Sequence, residues 1–296
     1  MQYFNSNTVL YLNGKFQKAS NTTADIYGQS LHYGYAVFEG IRAYNTHNGT
    51  RIFKARQHFE RLKRSAQLVH MAFPWDVTDL INQTYKLLEI NNLKNAYIRP
   101  LIYCAPNMSL VAGTKVSIMI CAWEWGAYLG HEQLKVCISG YERPNPKSVP
   151  IEAKVSGNYV NSILATTEAK SKGFDEALLL DMNQNIAEAP GANVFIEKNG
   201  RLYTPPAGHI LPGITRATVI ELCHILDIEV IEKHLTVKDL KHADSAFFCG
   251  TATEIAGIAS VDEYKFPLKW TDTLGATLQR TYKSLVLEKQ NYEVII

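Results

Sequence analysis

Two kinds of hydrophobic spacing alternate along the first half of the chain. A short strand on each side of Asn13-Gly14 predicts a β-hairpin, because this dipeptide favours a tight turn. Apolar residues then recur every three or four positions over about 54–71 and 77–91, which predicts two amphipathic helices. Two strands follow, over 96–103 and 115–125, separated by a loop rich in turn-forming residues. A chain that changes spacing in this way is expected to fold as a mixed α+β protein.

The second half has the same mixed character after a glycine-bounded break at Gly126–Gly130. A helix is predicted over about 158–171, followed by short strands, a helix after Gly213, and strands near Ile228 and over 245–249. Neither half contains a long series of alternating parallel strands and helices, so a Rossmann or TIM-barrel architecture is not expected. The predicted division is a small N-terminal domain over 1–126, an interdomain linker over 127–134 and a large domain over 135–296.

Composition excludes several classes of protein. Of the 296 residues, 46% are hydrophobic and 20% are charged, which is typical of globular proteins and unlike disordered or collagen-like chains. Lys and Arg number 30 and Asp and Glu number 28, so the net charge is only +2. This balance provides no electrostatic footprint for nucleic acid or an acidic membrane, and neither partner is expected.

The thiols and imidazoles are scattered rather than clustered. The five cysteines form no C-x-x-C pair and are expected to be reduced and buried (Cys104, Cys121, Cys137, Cys223 and Cys249). No two of the nine histidines are closer than eight residues, so no metal site is expected. The N-terminal residues lack the basic and apolar regions of a signal peptide, and the apolar run at Val116–Trp123 is too short to span a bilayer. A cytoplasmic protein is therefore expected.

Three segments have the composition of anion-binding backbone. Leu211–Arg216 places Gly213 at the start of an amphipathic helix, where backbone amides can face an anion. Cys249–Thr253 ends a strand with small and hydroxyl residues, which suits a nest of N–H donors. Arg56 lies early in the first long helix and offers a guanidinium. A capped glycine turn is the more common explanation for the first two segments, and a solvated helix face is the more common one for Arg56, so the residues alone do not assign an anion-binding role.

Four further side chains differ in character from their neighbours. Lys154 lies among apolar residues just before a predicted helix, and Glu188 lies at the end of a short strand. Tyr97 and Arg99 alternate with Ile98 and so share one face of a strand. A buried arginine needs an anion as a partner, whereas most lysines and strand-end carboxylates are simply solvated. Spacing alone therefore assigns no chemistry to these positions.

Six ordered segments give the chain a resemblance to a known family. They extend over nearly the whole chain: Leu31–Arg42, Ala96–Ile102, Trp125–Leu129, Ala153–Tyr159, Leu211–Arg216 and Gly250–Ala252. Together they resemble the branched-chain amino acid aminotransferases, which are pyridoxal 5′-phosphate (PLP) enzymes of fold type IV. The resemblance implies a two-domain α+β fold with the PLP site between the domains, in a homodimer or higher homo-oligomer. It also implies ping-pong transamination of leucine, isoleucine and valine with 2-oxoglutarate and L-glutamate.

The resemblance further implies how the cofactor is bound. Lys154 matches the catalytic lysine that forms a Schiff base, or aldimine, with the PLP aldehyde and then moves the proton between substrate Cα and cofactor C4′. Glu188 matches the carboxylate that faces the pyridine nitrogen, and Tyr159 matches the phenol that binds the cofactor 3′-oxygen. Further cofactor-binding positions, most of them at the phosphate, are matched by Arg56, Leu211, Ile214, Thr215 and Thr251.

Substrate-binding positions are implied in the same way. Tyr97 and the amides of Thr251-Ala252 match the α-carboxylate site, and Arg99 matches the group that receives the γ-carboxylate of glutamate. Other substrate-binding positions are matched by Phe38, Gly40, Arg42, Trp125, Tyr128, Tyr159 and Tyr33, the last reaching in from a second subunit. Two segments depart from the family pattern. Ala189–Ala192 replaces a glycine-rich run, and the loop Ala105–Gly113 is shorter than in the bacterial enzymes.

Other enzymes of the same fold are alternatives to this interpretation. They are the D-amino acid aminotransferases and the aminodeoxychorismate lyases, although Tyr97-x-Arg99 and Phe38-Glu39-Gly40-x-Arg42 favour the branched-chain group. A catalytically silent protein that binds PLP or phosphate is a further alternative. The simultaneous presence of Lys154, Glu188 and Tyr159 argues against it, because phosphate binding alone requires none of the three.

Overall fold

The computed structural model describes residues 3–125 and 133–288. The chain divides into two compact units, each with its own sheet. One unit comprises Met1–Gly126 together with the short segment Ala153–Asn158, and the other comprises Ala127–Glu152 and Tyr159–Ile296. The linker predicted over 127–134 lies almost entirely outside the described residues. In the described part of the chain, no helix is long and apolar enough to cross a membrane.

The first unit is an antiparallel sheet packed against helices. Its strands are β1 (Val9–Leu12), β2 (Lys15–Lys18), β3 (Ala36–Phe38), β4 (Ile41–Thr46), β5 (Gly49–Ile52), β6 (Ala96–Cys104) and β7 (Val116–Glu124). They pair in the order β2-β1-β7-β6-β4-β5, and β3 pairs with β6 as well. The helices are α1 (Gln29–Tyr33), α2 (Ala55–Leu68) and α3 (Val77–Ile90).

Strand alternation divides the residues of β6 between two faces. Ile98 and Ile102 are fully buried in the core that α2 and α3 complete through Phe59 and Leu80. Tyr97 and Arg99, one residue out of step, belong to the opposite face. The sheet therefore supports the core on one side and presents the sequence-predicted substrate residues on the other.

The second unit contains a larger, mixed sheet. Its strands are β8 (Gln133–Ile138), β9 (Glu176–Leu180), β10 (Ile186–Glu188), β11 (Asn193–Lys198), β12 (Arg201–Thr204), β13 (Val230–Glu232), β14 (Ser245–Gly250), β15 (Glu254–Val261) and β16 (Tyr264–Lys265). They pair in the order β10-β9-β8-β15-β14-β11-β12-β13, and β16 pairs with β15. A further pairing of β10 with β11 closes six of these strands into a ring. The helices are α4 (Tyr159–Ser171), α5 (Ile214–Ile225), α6 (Val237–Lys241) and α7 (Leu274–Val286).

Most predicted elements are present within a few residues of their predicted bounds, and the α+β class is confirmed. The sequence did not predict β15, although this strand pairs with both β14 and β8. Its weak signal has a physical cause at Gly257, where a Cβ atom would approach the Trp270 ring within 2.7 Å. A glycine inside a strand allows the indole to pack on the backbone but lowers the strand propensity of the sequence.

The cysteines are free thiols, as predicted. Four are buried and Cys121 is partly buried. Burial raises the pKa of the Cys121 thiol to about 11 and that of Cys223 to about 12, which keeps both thiols protonated and unreactive at neutral pH. Among the described residues, no group of three His, Cys, Asp or Glu side chains is arranged to hold a metal ion.

Candidate active site

Lys154 is held by the sheet and by α2 of the first unit. Its backbone N–H donates to Ser65 Oγ at 3.0 Å, and its carbonyl accepts from the Phe38 N–H at 3.0 Å. The next residue, Val155, forms an antiparallel bridge with Val37. Lys154 and Val155 therefore lie beside β3 and are paired with it. The segment Ala153–Asn158 belongs to the first unit, although the chain before and after it belongs to the second. The sequence indicated only that Lys154 lies just before a helix, and it did not predict the pairing with β3.

The Phe38 ring has two cations near it. The Lys154 Nζ atom lies 5.0 Å from the ring centroid, and the Arg99 Cζ atom lies 4.6 Å from it. The Arg99 guanidinium also lies 5.4 Å from the Tyr97 ring and donates to the Tyr97 hydroxyl at 3.4 Å. Its Nε atom is buried and has no hydrogen-bond partner among the described residues. A buried N–H without an acceptor suits an incoming anion such as a carboxylate.

Aromatic rings complete this cluster on the same sheet face. The rings of Tyr97 and Trp125 lie 4.9 Å apart at an interplanar angle of 31°. Gly40 is required beside them, because a Cβ atom at that position would overlap the Tyr97 hydroxyl. Arg42 lies opposite Tyr97 in the register of β4 and β6. The structure therefore brings together five of the predicted substrate residues: Phe38, Gly40, Tyr97, Arg99 and Trp125.

Two other predicted substrate residues lie apart from this cluster or outside the described part. Tyr33 ends α1 with 47% of its surface exposed, and its hydroxyl donates to the Met108 carbonyl at 3.2 Å. This contact lies in the loop Ala105–Gly113, the predicted short segment. Tyr128 lies outside the described residues.

Arg56 and Arg61 face different surroundings on α2. Arg56 is exposed and donates to Thr78 on α3 at 3.1 Å. Arg61 points inward, with 10% of its side chain exposed, and binds Glu39 through Nε at 2.6 Å and Nη2 at 2.9 Å. The sequence singled out Arg56 for its place near the helix start. The five-residue difference rotates the two side chains to different faces, and only Arg61 shares a face with Ser65, which binds the Lys154 backbone.

Glu188 is buried in the second unit, where neighbouring groups donate hydrogen bonds to its carboxylate. It ends β10 with 4% of its surface exposed, and its carboxylate accepts from Arg143 Nη2 at 2.9 Å. It also accepts from Asn193 Nδ2 at 3.0 Å and from the Leu211 N–H at 3.1 Å. Three donors, one of them cationic, stabilise the ionised form of a buried carboxylate. The sequence missed Arg143 and Asn193, because neither belongs to a motif with a recognisable spacing.

The start of α5 is joined to this carboxylate through Asn193. The Asn193 amide donates to the Leu211 carbonyl at 3.0 Å as well as to Glu188. Gly213 is the N-cap residue and supplies no side-chain cap, and a Cβ atom there would overlap Asn193 Oδ1. The amides of Ile214 and the buried Thr215 therefore begin the helix where the macrodipole favours an anion.

Two turns lie beside each other in the same unit. The predicted departure Ala189–Ala192 forms a tight turn in which the Ala189 N–H donates to the Ala192 carbonyl at 2.8 Å. Gly250 packs against this turn, since a Cβ atom would lie 3.1 Å from the Gly191 carbonyl oxygen. Thr251 and Ala252 follow directly, between β14 and β15. Tyr159 is the partly buried first residue of α4.

Comparisons with known proteins agree on one family. The family model described as amino-transferase class IV matches residues 36–261. A branched-chain-amino-acid aminotransferase of Pseudomonas aeruginosa is 39% identical over 287 residues, which cover 95% of this chain and 94% of that protein. The branched-chain aminotransferase of Thermoproteus uzoniensis, solved with norvaline, has a TM-score of 0.92 at 36% identity, covering 96% of each chain. The branched-chain amino acid aminotransferase of Thermobaculum terrenum, solved in its PLP-form, has a TM-score of 0.88 at 31% identity, covering 96% of this chain and 95% of that one.

Proposed function

The chain belongs to the amino-transferase class IV family, and on that premise we propose that it transfers amino groups between branched-chain L-amino acids and 2-oxoglutarate. The protein is a PLP-dependent enzyme, as members of this class are. Its substrates are leucine, isoleucine, valine, L-glutamate and the corresponding 2-oxo acids. The sequence resemblance and the comparisons agree on this family and this reaction.

The arrangement around Phe38 carries the proposal. The Phe38 ring lies near both the amine of Lys154 and the guanidinium of Arg99. The aromatic rings give an aliphatic side chain an apolar surface on which to be buried, worth about 1.5–3 kcal/mol for a leucine-sized group. Arg99 gives the γ-carboxylate of glutamate a charge partner at the same surface. A transaminase that alternates between these two substrates needs both properties.

The functional groups that each unit offers fit PLP. The first unit offers an amine at Lys154, which suits an aldehyde. The second offers a buried, charge-stabilised carboxylate at Glu188 and an anion-binding helix start at Ile214–Thr215, which suit a pyridinium and a phosphate. When bound, PLP supplies an electron sink for the bond that is broken at the substrate Cα atom.

The residues of the chain divide the remaining work. Lys154 binds the cofactor aldehyde and moves the proton at substrate Cα. Glu188 would face the pyridine nitrogen and favour its protonated form, and Arg143 holds the Glu188 carboxylate through a contact of 2.9 Å. Tyr159 donates to the cofactor 3′-oxygen. Tyr97 and the amides of Thr251-Ala252 hold the substrate α-carboxylate.

For the phosphate we propose a change from the sequence-based assignment. Ile214, Thr215 and Thr251 remain the phosphate-binding positions, but Arg61 rather than Arg56 supplies the guanidinium. Arg61 lies on the face of α2 that also carries Ser65, whereas Arg56 is exposed and bound to Thr78. Replacing Arg61 with Lys should therefore weaken PLP binding, and Arg56→Lys should leave it unchanged.

Assembly and location are also proposed. The exposed Tyr33 supports a homodimer in which this residue reaches the site of the partner subunit. The five free thiols are widely separated in the sequence, which favours a reducing cytoplasmic environment. Analytical ultracentrifugation tests the dimer, and a Tyr33→Phe variant tests its contribution to substrate binding.

The function is tested by half-reactions followed by absorbance. Purified protein loaded with PLP should be yellow, and L-leucine and L-glutamate should each convert the yellow form to the colourless pyridoxamine form. D-alanine should not. Conversion by D-alanine but not by L-leucine would make the protein a D-amino acid aminotransferase, and no conversion by any amino acid would make it a silent PLP binder.

A further inference from the structure

Helix α2 carries two buried polar side chains and one partly buried polar side chain on one face. His58, Arg61 and Ser65 are spaced three and four residues apart, which places them along one stripe of the helix. Ser65 and His58 have 0% and 1% of their surfaces exposed. Buried polar groups are costly unless they are bonded, so this stripe must have partners.

Two neighbouring segments supply those partners. The carboxylate of Glu39, itself fully buried, accepts from Arg61 twice and from His58 Nδ1 at 2.7 Å. Ser65 Oγ accepts from the Lys154 N–H. Burial alone would raise the pKa of the Glu39 carboxyl, but Arg61 and His58 beside it hold that pKa far below its usual range. Glu39 is therefore a fixed negative charge at neutral pH.

These contacts tie Lys154 to α2 by two routes. One is direct, through Ser65. The other runs from Arg61 to Glu39, and from Glu39 along the chain to Phe38, whose N–H donates to the Lys154 carbonyl. The Lys154 N–H is thus bonded to the helix directly, and its carbonyl is bonded to the residue that precedes Glu39. Phe38 also carries the ring that faces the Lys154 amine.

We propose that Ser65 is a positioning residue for Lys154, holding the backbone of the lysine so that its amine meets the cofactor aldehyde. This proposal rests on the proposed function, because the position of the Lys154 backbone matters for catalysis only if Lys154 is the reactive lysine. Ser65 touches neither substrate nor cofactor in this role and acts only through the Lys154 peptide.

The test measures covalent attachment of PLP to the apoprotein. Apoprotein is mixed with PLP, quenched with borohydride at timed intervals, and digested, and the modified lysine is identified and quantified by mass spectrometry. Thr84→Val is the matched control for Ser65→Ala. Thr84 is also a fully buried hydroxyl of the first unit, but it donates to the Leu80 carbonyl of its own helix. Ser65→Thr restores a hydroxyl at position 65.

Ser65→Ala should attach PLP to Lys154 about tenfold more slowly than wild type, because a buried N–H loses its acceptor and small misplacements of a reacting group are costly. Its kcat with L-leucine should fall while KM changes little. Thr84→Val should attach PLP at the wild-type rate, and Ser65→Thr should recover most of that rate. If Ser65→Ala does not fold, Ser65→Cys is measured instead, since a thiol fills the same space but is a weak acceptor.

The outcomes separate this inference from the proposed function. Labelling of Lys154 in wild type with equal rates in Ser65→Ala (or Ser65→Cys) and Thr84→Val overturns the positioning role alone. Equal slowing of Ser65→Ala and Thr84→Val overturns it as well, because the effect is then general to buried hydroxyls. Labelling of another lysine in wild type overturns the assignment of Lys154, and the proposed function with it.

Discussion

The two units prepare their functional groups by different means. In the first, Lys154, Arg99 and Phe38 are side chains on one face of a sheet, backed by buried side-chain contacts on α2. In the second, Glu188 is held mainly by side chains, but the start of α5 offers backbone amides, and glycines let other groups approach closely. In the first unit, replacing a single side chain is therefore expected to remove the one function that this side chain provides. In the second unit, a methyl group added at a glycine beside the backbone amides is expected to weaken the binding of PLP.

The largest effect is expected from Lys154→Ala. Borohydride should then leave no PLP on the protein, and transamination should be lost, because no other amine takes the place of this side chain. Lys115→Ala, at an exposed position of the same unit, is the matched control and should be labelled like wild type. Trapping of PLP in the Lys154→Ala variant would move the reactive amine to a different residue.

Glu188→Gln should retain PLP and lose turnover by on the order of 10²- to 10³-fold. The amide still bonds the pyridine nitrogen but no longer keeps it protonated. The control is Glu176→Gln, at another buried glutamate of the same unit, where burial raises the carboxyl pKa and an amide is tolerated. The measurement is kcat at full PLP occupancy. A wild-type kcat in Glu188→Gln would exclude this residue as the partner of the ring nitrogen.

Arg99→Leu separates the two substrates in the first unit. Loss of one member of a buried charge pair costs about 2–5 kcal/mol, so the half-reaction with L-glutamate should slow by about 30- to several thousand-fold. The half-reaction with L-leucine should change far less, because the apolar surface is kept. Cofactor content and the thermal midpoint must match wild type. Equal losses with both substrates would mean that Arg99 does not select the γ-carboxylate.

Gly213→Ala tests the second unit against an internal control. A Cβ atom at Gly213 overlaps Asn193, which must then release Glu188 and Leu211. Loss of two hydrogen bonds should weaken PLP binding by about 10- to 100-fold, measured by titration of the apoprotein. Gly191→Ala has open space around its Cβ atom and should bind PLP normally. Similar affinities in the two variants would contradict a backbone-built phosphate site.

The sequence predicted the elements that depend on local spacing and missed the contacts that depend on tertiary packing. The hairpin at Asn13-Gly14 and the amphipathic faces of α2 and α3 follow from periodicity, and the structure confirms them. The inward orientation of Arg61 depends on which face of α2 meets Glu39, and the sequence of this helix contains three arginines (Arg56, Arg61 and Arg64). Arg143 reaches Glu188 from a loop with no periodic pattern. Such contacts carry no local signal.

The smallest effect concerns the response of the two units to acid. The Glu39 pKa is lowered, so the stability that this carboxylate contributes is present above its unfolded pKa near 4.5 and is lost as the pH falls below it. In the second unit, burial raises the pKa of Glu176 and Glu197. Their folded forms bind a proton more readily than the unfolded chain, so their contribution is greatest at low pH and declines as the pH rises above 4.5.

The pKa values of Glu168, Asp239 and Asp244 in the second unit are lowered as well, but these carboxylates are only partly buried, so solvent screening makes their loss on protonation smaller. Acid should therefore unfold the first unit before the second. One titrating carboxyl changes the free energy of unfolding by at most about 1.4 kcal/mol per pH unit, so the difference is modest. Hydrogen exchange from about pH 5 to about pH 3, corrected for the intrinsic rate, should show protection lost earlier around β3 and α2 than around β9 and β14. Glu39→Gln removes the titrating carboxyl, and protection in the first unit of this variant should depend less on pH than in wild type. The dependence that remains comes from His58, whose pKa is lowered by burial. Parallel loss of protection in both units of the wild-type protein would show that Glu39 does not control the acid response, because the charge difference between the units would then have no effect on stability.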